Sequence, residues 1–419
     1  MKTSIPILIL CLVSASCGFN EAENPEGWPP YTAKIAWDSG LYSNSYHSHM
    51  VDGDYVYFYE RPPGYTFVNI YTLTKLDART GKFIWRTAMF SDIILCQPVA
   101  IGDYIYVFLM ENVIVCFDKN TGEQTATVEV KVNNDDFARM NYNIMAYEQY
   151  LYLSIWDHTG RYFTRLDMNN IDYGDANSIQ SHTPEIIWEL NKGGFHLAKP
   201  VVHNNTVYTA TWTAWAEGPV QLAGFDLDTM QMVFYETFGG LGVGDIQDLG
   251  SHGNPIFIYK DTLYYLSKSI SAWNLNTGEL LFRHIFTRSA NNESYYFAID
   301  ILQAAYYQKK IYYTSKSHGD MGFRNIHCID AKTGELVWNT AVKNSYTLDT
   351  NLIIHNDRLY VAQSEGFFVY DPKGGGILGV DRFFRGEEMS RNILYNDYII
   401  CIRMDNGWEG KLVAVYVGK

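Results

Sequence analysis

The stretch that decides the fold is HCIDAKTGELVW, residues 327–338. A polar turn sits between two apolar runs, and a tryptophan closes the second. Asp330 is placed to accept backbone N–H bonds across the turn, and Gly334 to take the positive φ of a tight reversal. ELVW then returns as a second strand, with Leu336 and Trp338 expected on one face. A single hairpin cannot bury Trp338, so the sequence calls for a neighbour.

The chain supplies neighbours. KLDARTGKFIW carries Asp77, Thr80, Gly81 and Trp85, and CFDKNTGEQTA carries Asp118, Thr121 and Gly122 without the tryptophan. GFDLDTMQMVF keeps Asp226 and Thr229, with Met230 for glycine and Phe234 for tryptophan. WNLNTGELLF has Asn274, Thr277, Gly278 and Phe282, and VYDPKGGGIL has Asp371 and Gly375. In a stretched copy an insertion separates Asp167 from Trp188. A repeat of roughly 40–60 residues sets the architecture. Turns followed by period-two strands rich in tyrosine and aliphatics give the count: DGDYVYF, IGDYIYV, YEQYLYL, HNNTVYT, YKDTLYY, YQKKIYY, HNDRLYV and YNDYIIC. Eight such strands precede seven turn hairpins. AKIAWDS near the start, with Trp37, lacks preceding strands, and KLVAVYVGK at the end lacks a following one. Pairing the N-terminal strand with the C-terminal three closes an all-β, eight-bladed propeller of four-stranded antiparallel blades, without open sheet edges at the closure.

The hairpin A-x-D-x-x-T-G-x-x-x-W after an aliphatic–tyrosine strand resembles the PQQ-type, quinoprotein alcohol dehydrogenase-like, eight-bladed propeller repeat. The resemblance covers residues 31–419. It implies that the tryptophan of one blade packs over the glycine turn of the next, which gives Asp77, Gly81, Trp85, Asp118, Gly122, Asp330, Gly334 and Trp338 structural roles. The fold hosts both enzymes and scaffolds, so function has to be argued from sites.

Residues 1–17, MKTSIPILILCLVSASC, read as a secretory signal: one positive charge, a short apolar core, then small residues. Cys17 after Ser14-Ala15-Ser16 resembles a bacterial lipobox, with Ser14 where leucine is usual, and reads as a lipidation site; ordinary signal cleavage is the other reading. Residues 18–30 form a polar tether, and the absence of Asp after Cys17 suits the outer membrane by resemblance to Gram-negative sorting. Signal, cysteine, tether and propeller together resemble the layout of outer-membrane assembly lipoproteins of this fold. Cys96, Cys116, Cys328 and Cys401 read as core side chains, with a disulfide between some pair left open. The formal charge of −14 argues against nucleic acid and against direct adhesion to anionic lipid.

Two sets of residues are candidates for binding. The residue just before each innermost strand is polar: Ser48, Gln97, Asn143, Lys199, Asn254, Gln303, Asn351 and Arg391. They make a candidate ring at the channel mouth for a carbohydrate or small ligand, or a wetted rim and nothing more. Long loops on the same face carry Arg61, Tyr65, Trp156, Trp212, Trp215, Tyr295, Tyr296 and Trp408. Aromatic and arginine side chains of this kind anchor protein interfaces, or fold inward over neighbouring blades. Enzymes of the resembled family combine an adjacent cysteine pair, a tryptophan floor under the quinone, and calcium held by carboxylate and asparagine. This chain has no adjacent cysteine pair and no convincing acidic set at channel positions; Asp300 alone, or His47 with His49, falls short of a site. The expectation is a monomeric, non-enzymatic, lipid-anchored envelope scaffold that binds protein partners, without PQQ and without metal. Ligand binding at the channel mouth is the alternative, and a PQQ-dependent dehydrogenase a more distant one.

Overall fold

The computed structural model describes residues 34–418 except 44–48, 62–69, 92–93, 95, 133–138, 141–142, 177, 191–194, 214–219, 239–255, 267–268, 286–295, 299–303, 319–323, 343–351, 364–365, 382–392 and 407–408. The expected signal (1–17), Cys17 and the expected tether (18–30) lie outside the described residues. Eight antiparallel sheets follow one another, each built on four strands. Blade 1 runs His49–Asp52, Tyr55–Glu60, Ile70–Asp77 and Phe83–Arg86; blade 6 runs Ala305–Tyr307, Lys310–His318, Arg324–Asp330 and Leu336–Val342. Blade 8 takes Ile393–Tyr395, Tyr398–Asn406 and Glu409–Tyr416 from the C-terminus and its outer strand, Lys34–Ser43, from the N-terminus. The ring closes as the sequence requires.

The turn chemistry is the expected one. Asp77 Oδ1 accepts from the backbone N–H of Thr80 at 2.8 Å and from its hydroxyl at 2.7 Å. The Gly81 N–H bonds the Asp77 carbonyl at 2.8 Å, and Gly81 has φ +67°. Asp118 and Asp330 repeat the arrangement with Thr121 and Thr333. A Cβ on Gly81 would stand 2.6 Å from the Trp37 ring, on Gly122 2.6 Å from Trp85, and on Gly375 2.6 Å from Trp338. Each indole N–H also donates to a carbonyl of the next blade: Trp37 to Ala78, Trp85 to Lys119 and Trp338 to Pro372. Over Gly334 itself lie Phe282 and His284 of blade 5, so Trp338 serves the turn after the one it shares a hairpin with.

One expectation fails in an informative way. Leu336 and Trp338 do not share a face, because the ladder slips between Ile329↔Leu336 and Cys328↔Trp338, leaving Val337 as a bulge. The same slip falls one residue before the docking position in all eight outer strands: at Ala36, Ile84, Thr125, Ile187, Val233, Leu281, Val337 and Leu378. A bulge bends its strand and re-aims the following side chain. Here it turns the ring out of its own sheet toward the next blade. The bulged residue and its predecessor are left facing solvent, as with Phe83–Ile84, Met232–Val233, Leu280–Leu281 and Leu336–Val337.

Three joints lack a docked tryptophan or phenylalanine, and each has a substitute. Ala126 holds the ring position of blade 2. There the blade 3 insertion returns, and Ile179–His182 adds a fifth, parallel strand to Gln124–Val130. Tyr173 of that insertion stacks on Tyr104 with centroids 3.8 Å apart and shares a 2.8 Å hydroxyl hydrogen bond with Tyr106. Burial pushes the Tyr173 phenol up to about 12. Phe234 of blade 4 packs edge-on against Tyr208 of its own blade, and among the described residues nothing lies within 4 Å of a Cβ on Gly278. Gly379 holds the ring position of blade 7. At these last two joints a histidine before one inner turn meets an aspartate after the next: His203 Nε2 lies 3.1 Å from Asp261 Oδ1, and His355 Nε2 lies 2.8 Å from Asp397 Oδ1. The His203 hydrogen bond holds the Asp261 carboxyl below the usual carboxylate range. Tyr395 donates to Asp54 at 2.6 Å in the same position between blades 8 and 1, where Trp37 is also docked. Replacing Tyr173 by phenylalanine should keep the stack, remove two hydrogen bonds, to the Tyr106 hydroxyl and the Met168 carbonyl, and lower stability by about 2 kcal/mol. Tyr173→Ala should lose more than that in a urea melt.

Candidate functional site

The end of the ring opposite the Asp–Gly turns carries the loops that join second strands to third. Blade 3 shows most of it. Tyr150–Trp156 and Arg161–Asp167 are joined by a short turn in which Asp157 Oδ1 accepts from the Thr159 N–H, the Thr159 hydroxyl and the Gly160 N–H at 2.6–2.7 Å. A further short strand, Arg139–Met140, pairs on the inner side of Tyr150–Trp156. Three residues therefore fall in one row across three strands: Arg139 opposite Trp156, and Trp156 opposite Arg161. Cross-strand partners project to the same side. The guanidinium carbons stand 5.4 Å and 6.0 Å from the indole centroid, within cation–π range. Trp156 stays 39 % exposed and Arg139 is exposed; Arg161 is half-buried, and burial lowers its pKa. Arg161 braces the indole from the outer strand, and Arg139 presents its charge beside it.

Other predicted positions divide. Arg61 takes the inward-folded alternative. It is 6 % exposed and directly follows the strand Tyr55–Glu60, where its backbone N–H donates to the Tyr42 carbonyl at 2.8 Å. Trp212 pairs with His196 in an extended inner strand, and Tyr296 with His318. Tyr65, Trp215, Tyr295 and Trp408 lie outside the described residues. So do Ser48, Asn254, Gln303, Asn351 and Arg391 of the polar ring. Of the remaining three, Asn143 is buried, and its Nδ2 donates to the Leu197 carbonyl of blade 4 at 2.6 Å, so it ties two blades together. Gln97 and Lys199 are half-buried, and the Gln97 carbonyl accepts from the Cys96 thiol at 3.3 Å.

The described cysteines and metal-ligating side chains lie apart from one another. Cys96, Cys116, Cys328 and Cys401 are buried thiols in blades 2, 6 and 8, none next to another in the sequence. Burial pushes Cys328 up to about 11 and Cys401 up to about 12, so both stay protonated core side chains. Among the described residues no group of three His, Cys, Asp or Glu side chains converges as a metal site. His49 is buried, with Nε2 3.3 Å from the Ile400 carbonyl, another contact between blades.

No family model matches the chain, and no curated protein matches its sequence. Solved structures do match. BamB from Moraxella catarrhalis superposes with a TM-score of 0.58 at 13 % identity, over 92 % of this chain and 96 % of that one. The chain is similar in fold to BamB and to quinoprotein dehydrogenases alike. A europium-containing methanol dehydrogenase gives 0.59 at 12 % identity, over 90 % and 85 % of the two chains. The quinohemoprotein alcohol dehydrogenase of Comamonas testosteroni gives 0.60 at 10 %, over 92 % and 76 %. At such identities the likeness is one of architecture alone.

Proposed function

We propose that this protein is a non-enzymatic scaffold of the bacterial cell envelope, anchored by lipid on Cys17, whose propeller captures another envelope protein from its loop face. The observation that carries the reading is the exposed Trp156, supported across two strands by Arg161 and flanked by the exposed Arg139. Tryptophan with arginine is the composition of interface hot spots. The similarity in layout to BamB, with signal, cysteine, tether and eight blades, supports the same reading. The turn end of the ring is occupied by docking and clasps, which leaves the loop end for recognition.

Two measurements test it. Incubation with PQQ and calcium is expected to give neither bound quinone absorbance nor dye reduction; either signal would overturn the non-enzymatic reading. Replacing Cys17 with alanine is expected to move the protein from the membrane to the soluble fraction. Membrane retention by that variant would contradict the anchor.

A further inference from the structure

We infer that the Arg139–Trp156 pair on blade 3 is a docking point for an acidic, aromatic-bearing segment of a partner protein. The inference rests on the scaffold reading above and assigns it a partner chemistry. Three observations carry it. First, the charge is out of place. The chain has a formal charge of −14, yet its exposed, described tryptophan lies in a row with two arginines. Arg139 is exposed, and its guanidinium carbon stands 5.4 Å from the indole centroid, so a fork of charged N–H donors accompanies the ring. An incoming carboxylate would meet those donors in the fork geometry that arginine favours.

Second, the indole is braced. Arg139 and Arg161 approach it from neighbouring strands on either side, so its rotamer is set before a partner arrives. A pre-set aromatic loses little side-chain freedom on binding. Third, the spacing suits a peptide. The guanidinium carbon lies 5.4 Å from the indole centroid, and same-face side chains of an extended strand are about 7 Å apart. A carboxylate on Arg139 and a ring against Trp156 are therefore reached by residues i and i+2 of one extended segment. The site lies on the inner side of blade 3, where such a segment would run along the channel rim.

The test uses the full chain and a labelled peptide of alternating glutamate and tyrosine, with a lysine–tyrosine peptide and polygalacturonate as comparison probes. The glutamate peptide should bind, and its affinity should fall about tenfold as salt rises from about 50 mM to about 300 mM, as a contact between exposed charges does. Arg139→Glu should abolish binding, Arg139→Lys should keep most of it, and Trp156→Ala should weaken it about tenfold or more. Both Arg139 variants should melt with the wild type, since that side chain is exposed. Equal binding by Arg139→Glu, preference for the lysine peptide, or binding of polygalacturonate alone would overturn the inference. Failure of the wild type to hold the glutamate peptide would overturn it too. None of these results touches the scaffold reading, which is decided by capture of a native partner.

Discussion

Between pH 6.5 and pH 4 the folded protein is expected to lose about 3 kcal/mol of stability through one side chain, His327. The imidazole is 5 % exposed, stacked on Tyr313 with centroids 4.9 Å apart and planes 14° from parallel. Burial pushes its pKa down from 6.5 to about 4. Above pH 6.5 the ring is neutral in both folded and unfolded chains and contributes no pH dependence. Below 6.5 the unfolded chain takes up a proton that the folded chain refuses, so stability falls with pH until the folded ring also titrates near 4. At about 1.4 kcal/mol per pH unit, that gap gives the stated loss. The turn carboxylates Asp77, Asp118 and Asp226 act in a different window. Hydrogen bonds from Thr80, Thr121 and Thr229 hold them below the ordinary carboxylate range, so their contribution is present above pH 3.8 and is lost as pH falls further. Urea melts at pH 7, 5.5 and 4.5 separate the two. His327→Phe keeps the stack and should flatten the profile between 6.5 and 4. An unchanged slope in that variant would show that His327 is not the group responsible.

Adding one methyl group at Gly375 should cost about 3 kcal/mol or more, and the same change at Gly278 only about 1 kcal/mol. The two residues have nearly the same backbone, with φ +71° and +72°. Alanine at either position carries the left-handed strain. They differ in what lies above. A Cβ on Gly375 meets the Trp338 ring at 2.6 Å, whereas among the described residues nothing lies within 4 Å of one on Gly278. The Gly375 variant must push the indole off its seat and break the hydrogen bond to the Pro372 carbonyl. The difference between the variants therefore measures the docking contact alone, free of backbone strain. Equal losses would mean that the tryptophan docks contribute little to holding blades together.

The architecture was readable because the repeat repeats its physics. Asp, Thr and Gly at fixed offsets specify the same turn each time, and the strands that follow alternate. Counting those strands against those turns was enough to require closure by Lys34–Ser43. What escaped was of two kinds. The eight bulges leave no composition signature, because the bulged residues range from Thr125 to Leu378 and the slip is imposed by where the following ring must go. The substitutes at ringless joints depend on partners far apart in sequence: Tyr173 with Tyr106, His203 with Asp261 and His355 with Asp397. A missing tryptophan at Ala126 or Gly379 signals that something else must act there, without saying what. The candidate site was legible only in part. Trp156 stands on the expected face and is exposed. Arg61 looks the same in sequence, yet it is buried where its backbone N–H meets the Tyr42 carbonyl of the N-terminal strand. The pairing of Arg139 with Trp156 needed the short strand Arg139–Met140, which has no alternation long enough to announce itself.

The measurement that tests the scaffold assignment most directly is cross-linked capture of the tagged, full-length protein from its native membranes, with the Trp156→Ala variant alongside. The account predicts a stoichiometric envelope protein bound to the wild type, lipid on Cys17, and loss of most of that partner from the variant. A lipidated wild-type protein that comes through the capture alone, or a partner held equally by Trp156→Ala, would contradict it.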